Sequence, residues 1–134
     1  FTRELVLASG CFALNIPCRA IAELTYTVGS TSGREEDKFA RYGIGAFAGS
    51  VLPLPLIDGC VAWLECRHIP EPHSEQAYDT FFGEVVAAQA DARVFTAGRW
   101  TLRDDNAELH TLHHLGGGHF GVVGEVVQGH VKTA

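Results

Sequence analysis

Residues 60–69, Cys-Val-Ala-Trp-Leu-Glu-Cys-Arg-His-Ile, contain neither glycine nor proline and are rich in residues that favour extended backbone. A run this apolar on both faces, turning polar on one face only at Glu65 and Arg67, predicts a central β-strand. Thr80 to Ala90 is a second long run of the same kind, interrupted only by Gly83, where a ligand or another backbone comes close. A polar loop opening at Pro70-Glu71-Pro72 joins the two, and a short connection of this type predicts an antiparallel pair.

The rest of the chain supplies shorter elements around that pair. Thr2 is placed to cap a helix over Arg3–Ser9 that Gly10 stops. Phe12 to Ile16 alternates and ends at Pro17, as a short strand does. Ile21, Leu24 and Val28 recur at helical spacing within 19–28, with Gly29 as the stop. Ser32 followed three residues later by Glu35 makes a capping box, predicting a helix from Gly33 to Tyr42 that ends at Gly43. Residues 46–55 hold two prolines and predict an edge-like extended connection. Phe95 to Leu102 predicts a short strand. Asp105 with Glu108 makes a second box, predicting a helix that runs to His114 before Gly116-Gly117-Gly118. His119 to Val127 alternates as a last strand, and the tail from Gly129 is expected to be loose. The sum is an α+β fold dominated by antiparallel strands, with helices outside.

Composition bounds what such a domain does. The 134 residues carry a net charge of −6 with no long basic cluster, which disfavours nucleic acid. No run is long and apolar enough to span a membrane, and no signal-peptide pattern opens the chain, so a cytoplasmic protein is expected. Cys11, Cys18, Cys60 and Cys66 match no zinc spacing and are expected to be reduced. The chain has no methionine, even at position 1. Opening on Phe1-Thr2-Arg3, it reads as entering a fold midway.

Three constellations can carry chemistry. Ser30-Thr31-Ser32-Gly33-Arg34 with Lys38 offers hydroxyls, approachable amides and two cations to a phosphate. A capped surface helix explains the same residues, and the acids Glu35, Glu36 and Asp37 oppose an anion. His110 and His114, one turn apart if helical, have the spacing of a zinc pair, with His113 and His119 nearby; a plain match to a helix C-terminus explains them equally. The Gly116–Gly118 triplet before His119 and Phe120 allows backbone to pass close to a planar ligand, or is simply a flexible turn. Glu65 and Glu84 each sit in an apolar strand, where a paired-carboxylate acid/base site is conceivable but strand-face glutamates bonded to neighbours or solvent are commoner, and there is no catalytic triad, dinucleotide fingerprint or P-loop.

Taken in order, the segments resemble a known family. Thr2-Arg3-Glu4-Leu5, Ser9-Gly10 and Phe12 to Pro17 resemble the "TREL…SGxFxxNxP" stretch of flavin reductase-like, FMN-binding split-barrel proteins. Ser32-Gly33-Arg34 with Asp37-Lys38-Phe39 is similar to the "SGRDxDKF" segment of their flavoredoxin-like branch. Pro55-Leu56-Ile57 with Leu64-Glu65-Cys66, Gly83-Glu84-Val85, and Leu115 to Phe120 follow the same branch, with Phe120 where tyrosine is usual. The resemblance covers nearly the whole chain, 1–134, as one domain. It implies a six-stranded Greek-key split β-barrel, a homodimer, and non-covalent FMN reduced by NAD(P)H or another electron carrier. Ser32, Gly33, Arg34, Asp37, Lys38 and Phe39 would then lie beside the flavin, Thr2 and Asn15 near or under its phosphate, and His119 and Phe120 at the ring end. No side-chain acid or base and no metal is expected at the site, because a flavin carries its own hydride chemistry. The family's opening strands, which supply many contacts to the flavin ring, would precede Phe1. A cofactor-free dimeric split-barrel binding module is the alternative, favoured by the three acids after Arg34 and by Phe120. A third possibility is a metal protein using the C-terminal histidines.

Overall fold

The computed structural model describes residues 1–132. Helix α1 (Thr2–Ser9) ends at Gly10, whose φ of 68° is the left-handed stop a glycine permits. Strand β1 (Cys11–Ile16) follows, then a 3-10 turn (Arg19–Ile21) leading into α2 (Ala22–Gly29) and the short α3 (Lys38–Tyr42). Strands β2 (Ala46–Ala48) and β3 (Pro55–Ile57) pair with each other, and β4 (Ala62–Ile69) is joined through α4 (Pro72–Ala77) to β5 (Phe82–Ala90). Two hairpins complete the chain: β6 (Phe95–Thr96) with β7 (Arg99–Trp100), and β8 (Leu112–Gly116) with β9 (His119–Val122).

The breaker-free run is the middle of the molecule. Strand β4 lies between β1 and β5, antiparallel to both. Glu65 faces Ala87 while Cys66 faces Val85, so β5 carries one extra residue, a bulge at Val86. Gly83 is small because of the Phe12 ring: a Cβ there would stand 2.6 Å from Phe12 Cζ and 3.2 Å from Cys66 Cβ. The core is modest, with Cys18, Val61 and Val94 fully buried and Ile16, Ile21, Leu102 and Leu109 packed on them. All four cysteines are buried free thiols. No helix among the described residues is long and apolar enough to cross a membrane.

Several expectations are corrected. The strands form one three-stranded sheet and three two-stranded ladders rather than a closed six-stranded barrel. The outer edge of β5 has no partner among the described residues, and a barrel needs both edges joined. The helix foreseen from Gly33 starts only at Lys38. Ser32 Oγ accepts from Arg34 N at 3.2 Å, making a turn instead of a box, and Asp37 caps α3 by accepting from Phe39 N and Ala40 N. Thr2 opens α1, but the N-cap position is Phe1, with no side-chain bond. Helix α4, with proline in its first turn, occupies the stretch read as loop.

Phe95–Leu102 folds as a hairpin because Ala97 and Gly98 both take positive φ. The second box does not form. Asn106 Oδ1 instead accepts from Arg103 N at 2.7 Å over a 3-10 turn (Asp104–Leu109), and extended backbone at His110 leads into β8 rather than a helix. Strand β9 stops at Val122. Residues 129–132 have no regular structure, and the last two residues of the expected tail lie outside the described residues.

Candidate functional site

Residues 31–39, with Phe1, Thr2 and Leu5 of the α1 end, enclose a cleft of about 810 Å³. Its floor is a turn: Glu35 N donates to Ser32 O, and the Ser32 hydroxyl takes the Arg34 amide. The amides of Ser32 and Gly33 have no hydrogen-bond partner among the described residues. Gly33 lies under Phe1, where a Cβ would stand 2.7 Å from the ring.

The charges here are sorted by partner. Arg34 pairs with Glu4 across the cleft and stands over the Phe1 ring, 5.5 Å from its centroid. Lys38 Nζ donates to Val28 O and to Thr31 O at 2.6 Å, tying the segment to the C-terminal end of α2. Of the three acids that oppose an anion, Asp37 is engaged by the α3 amides. Glu36 accepts from Tyr42 Oη at 2.7 Å and pairs with Arg41 at 3.0 Å; the Tyr42 bond chiefly holds its carboxyl below the ordinary range. Glu35 alone is left without such a partner among the described residues.

Lys38 and Phe39 also line a second, apolar cavity of about 340 Å³ that reaches Asn15, Ile57 and Cys60. There Asn15 Oδ1 accepts from Ile57 N at 2.9 Å, holding β1 to β3. Burial, aided by neighbouring Cys18, pushes the Cys60 thiol up to about 11, which makes it a poor nucleophile. A third cavity, about 310 Å³, lies between α2 and the β8–β9 hairpin, with Tyr26, Ser30, His114 and Phe120 in its wall.

The residues expected at the site, His119 apart, are distributed over three cavities. Thr2, Ser32, Gly33, Arg34, Asp37, Lys38 and Phe39 share the first cleft, and Asn15 adjoins it through the second. Phe120 stands apart in the third, its ring 5.2 Å from that of His114, and exposed His119 lines none of the three. Tyr26 was not foreseen. It is chosen by the glycine turn it covers, where a Cβ on Gly118 would lie 3.2 Å from its ring, a long-range contact with no local signal. The zinc spacing also fails, because His110 and His114 share no helix. Among the described residues no three His, Cys, Asp or Glu side chains converge for a metal ion.

The antiparallel sheet, with a polar, amide-bearing cleft beside an apolar one, sets this domain in a class apart from the nucleotide folds built on a parallel sheet. More narrowly, the chain belongs to the flavin reductase like domain family, which matches residues 1–105. It is 52% identical over 128 residues to an uncharacterized protein, YddH, of Escherichia coli (strain K12), covering 95% of this chain and 67% of that one. An FMN-binding domain of a flavin reductases-like enzyme from Shewanella baltica OS155 superposes with a TM-score of 0.88 at 38% identity, over 96% of this chain and 68% of the other. Flavoredoxin of Desulfovibrio vulgaris (Miyazaki F) shares the fold, with a TM-score of 0.74 at 24% identity over 96% of this chain and 67% of that one. The chain therefore spans about two thirds of the length of these relatives.

Proposed function

We propose that this chain is an FMN-binding flavoprotein domain acting as an NAD(P)H-dependent flavin reductase or as a flavoredoxin-like electron carrier. The observation that carries the reading is the first cleft, where two adjacent unpartnered amides, a hydroxyl and two cations meet. This is the donor set that suits a phosphate monoester. The amides of Ser32 and Gly33 and the Arg34 guanidinium hold the phosphate, with Thr2 at the rim. Lys38 adds positive charge while keeping the turn fixed to α2, and Phe39 leads toward the apolar cavity above Asn15. Asp37 serves by capping α3. When bound, the flavin supplies hydride and electron transfer itself, so the chain's residues need only bind and orient it. The FMN-binding relative from S. baltica supports the cofactor class. The homodimer expected from the resemblance belongs to the same proposal.

The test is to titrate the full chain with FMN and follow flavin fluorescence, then add NADH or NADPH and watch the flavin absorbance bleach. Arg34→Ala removes one charge-assisted contact, of about 1.5–3 kcal/mol, and should weaken FMN roughly ten- to hundredfold. Absence of FMN binding, or an affinity that Arg34→Ala leaves unchanged, overturns the assignment. Bound flavin that stays oxidised keeps the carrier and removes the reductase. A specific observation favours the second reading, a cofactor-free binding module: Arg34 is already paired with Glu4, and Lys38 with two carbonyls.

A further inference from the structure

The wall of the second cavity is almost wholly apolar, made by Leu24 and Val28 one turn apart on α2, by Ile44 and Ile57, and by the Phe39 ring. An apolar cavity of about 150 Å³ takes up benzene. At about 340 Å³ this one has room for a substituted ring or a two-ring molecule. It shares only Lys38 and Phe39 with the first cleft, so most of its wall lies apart from the phosphate site proposed there.

Its polar groups are few, and most are engaged. Thr25 gives its hydroxyl proton to Ile21 O at 2.8 Å, and burial keeps the Cys60 thiol protonated. The Asn15 amide cannot be turned round, because its Oδ1 accepts from Ile57 N at 2.9 Å; Ile57 O in turn accepts from Trp63 Nε1 at 2.9 Å. Asn15 Nδ2 has no hydrogen-bond partner among the described residues, yet it is not sealed from solvent. Its two N–H groups are thus fixed in place and unanswered. Lys38 uses two of its three N–H groups on Val28 O and Thr31 O. The wall therefore offers donors, and no carboxylate lines it, so a cationic ligand finds no counter-charge. An anion gains little either. Lys38 shares its charge with Glu36 on the cleft side, and a carboxylate would lose its hydration against the apolar wall.

We propose that the second cavity binds a small neutral ring compound bearing a carbonyl, its rings against Leu24, Val28 and Ile44 and its oxygen accepting from Asn15 Nδ2. The apolar wall gives affinity without discrimination, since any hydrocarbon of the right volume leaves water equally well. The amide gives the selection, because a ligand lacking the acceptor leaves those N–H groups unanswered. The site does not depend on FMN: it stands whether or not the first cleft holds a phosphate.

The experiment titrates the full chain, without FMN, with 1-tetralone and with tetralin, the hydrocarbon of the same skeleton. Methyl ¹H–¹³C spectra follow Leu24, Val28, Ile44 and Ile57. Both compounds should shift these methyls, and the ketone should bind about fivefold more tightly, as one neutral hydrogen bond of about 1 kcal/mol predicts. Asn15→Asp keeps an oxygen for Ile57 N but has no N–H to give. It should erase the ketone's advantage and leave tetralin unchanged. Val28→Phe should fill the cavity and abolish both. The infrared carbonyl stretch of tetralone bound to the unchanged chain should fall below its value in a hydrocarbon solvent, which decides the matter even if a variant does not fold. Equal affinity for tetralin and tetralone overturns the proposal, as does tighter binding of the tetralin carboxylate. Displacement of tetralone by FMN would give the cavity to the flavin ring and overturns it as well.

Discussion

Glu65 is a carboxylate 1% exposed within a strand, a position tolerated only when its lone pairs are answered. Four donors answer them: the amides of Ser50, Val51 and Leu52 and the Ser50 hydroxyl, at 2.7–3.0 Å. Gly49 is required beside it, since a Cβ there would stand 2.7 Å from Glu65 Oε2. The carboxylate thus replaces strand partners for the loop between β2 and β3. These bonds, led by the Leu52 amide and Ser50 hydroxyl, hold its carboxyl at about 2 against the burial that would raise it. A depressed folded-state value contributes stability that is complete above the ordinary carboxylate range, about 4.3, and is lost as the pH falls toward 2. Glu65→Gln should therefore flatten the acid limb of the stability curve and lower the melting temperature at neutral pH by roughly 5 °C or more. Urea midpoints measured from about pH 2 to about pH 7 check this. An acid limb as steep in the variant as in the parent would assign the loss to other carboxylates, such as Glu75 bound to the Glu71 amide and His68.

At the scale of elements, what could be read from sequence was what local chemistry decides. Strand β4 was legible because nothing in residues 60–69 offers the backbone another choice, and α1 because Gly10 stops it. Helix α3 was misplaced because two hydroxyl or carboxylate residues compete as caps, and Asp37 wins by bonding two amides. Asp37→Ala should cost about 0.5–2 kcal/mol and fray α3, as seen in thermal melts and in exchange at Phe39 and Ala40. The C-terminal helix was misread for a different reason: Asn106 has a φ of −121° and gives its side chain to three backbone groups of neighbouring turns, contacts that no spacing announces. The first cleft was legible as Ser32–Phe39 because it is nearly one continuous segment. The third cavity was not, since it joins Tyr26 to Phe120 across most of the chain. Gly83 was marked as a close approach, and the approaching group is Phe12 from β1 two strands away. Gly83→Ala should overpack that contact and cost about 1–3 kcal/mol, with the Phe12 ring displaced. A chemical-denaturation midpoint equal to the parent's would mean the ring moves aside freely.

The whole molecule leaves unusually much of itself in contact with solvent. Its accessible surface is 9098 Å², against about 6,900 Å² expected for a compact monomer of 14.5 kDa. Part of the excess is the extended segment after β9, where Val126, Val127 and Val131 are 63–94% exposed. The rest lies on the regular elements: Leu5 and Leu7 on α1, Leu14 on β1, Phe82 and Val85 on β5. Strand β5 is nine residues long, apolar in places, and open along one edge among the described residues. Natural proteins seldom leave such an edge unprotected, because its free N–H and C=O groups template pairing with another chain. The homodimer proposed above follows the same logic, since a stable pair needs about 800 Å² from each copy, well within this excess. The chain should therefore sediment as a dimer at micromolar concentration. Val85→Lys, which sets a charge on the open strand where Val85 is already 53% exposed, should shift it toward monomer with its circular dichroism unchanged. Sedimentation as a monomer across the concentration range would separate the exposed apolar surface from self-association. An unaltered dimer in Val85→Lys would instead move the contact off β5 and onto the α1 face.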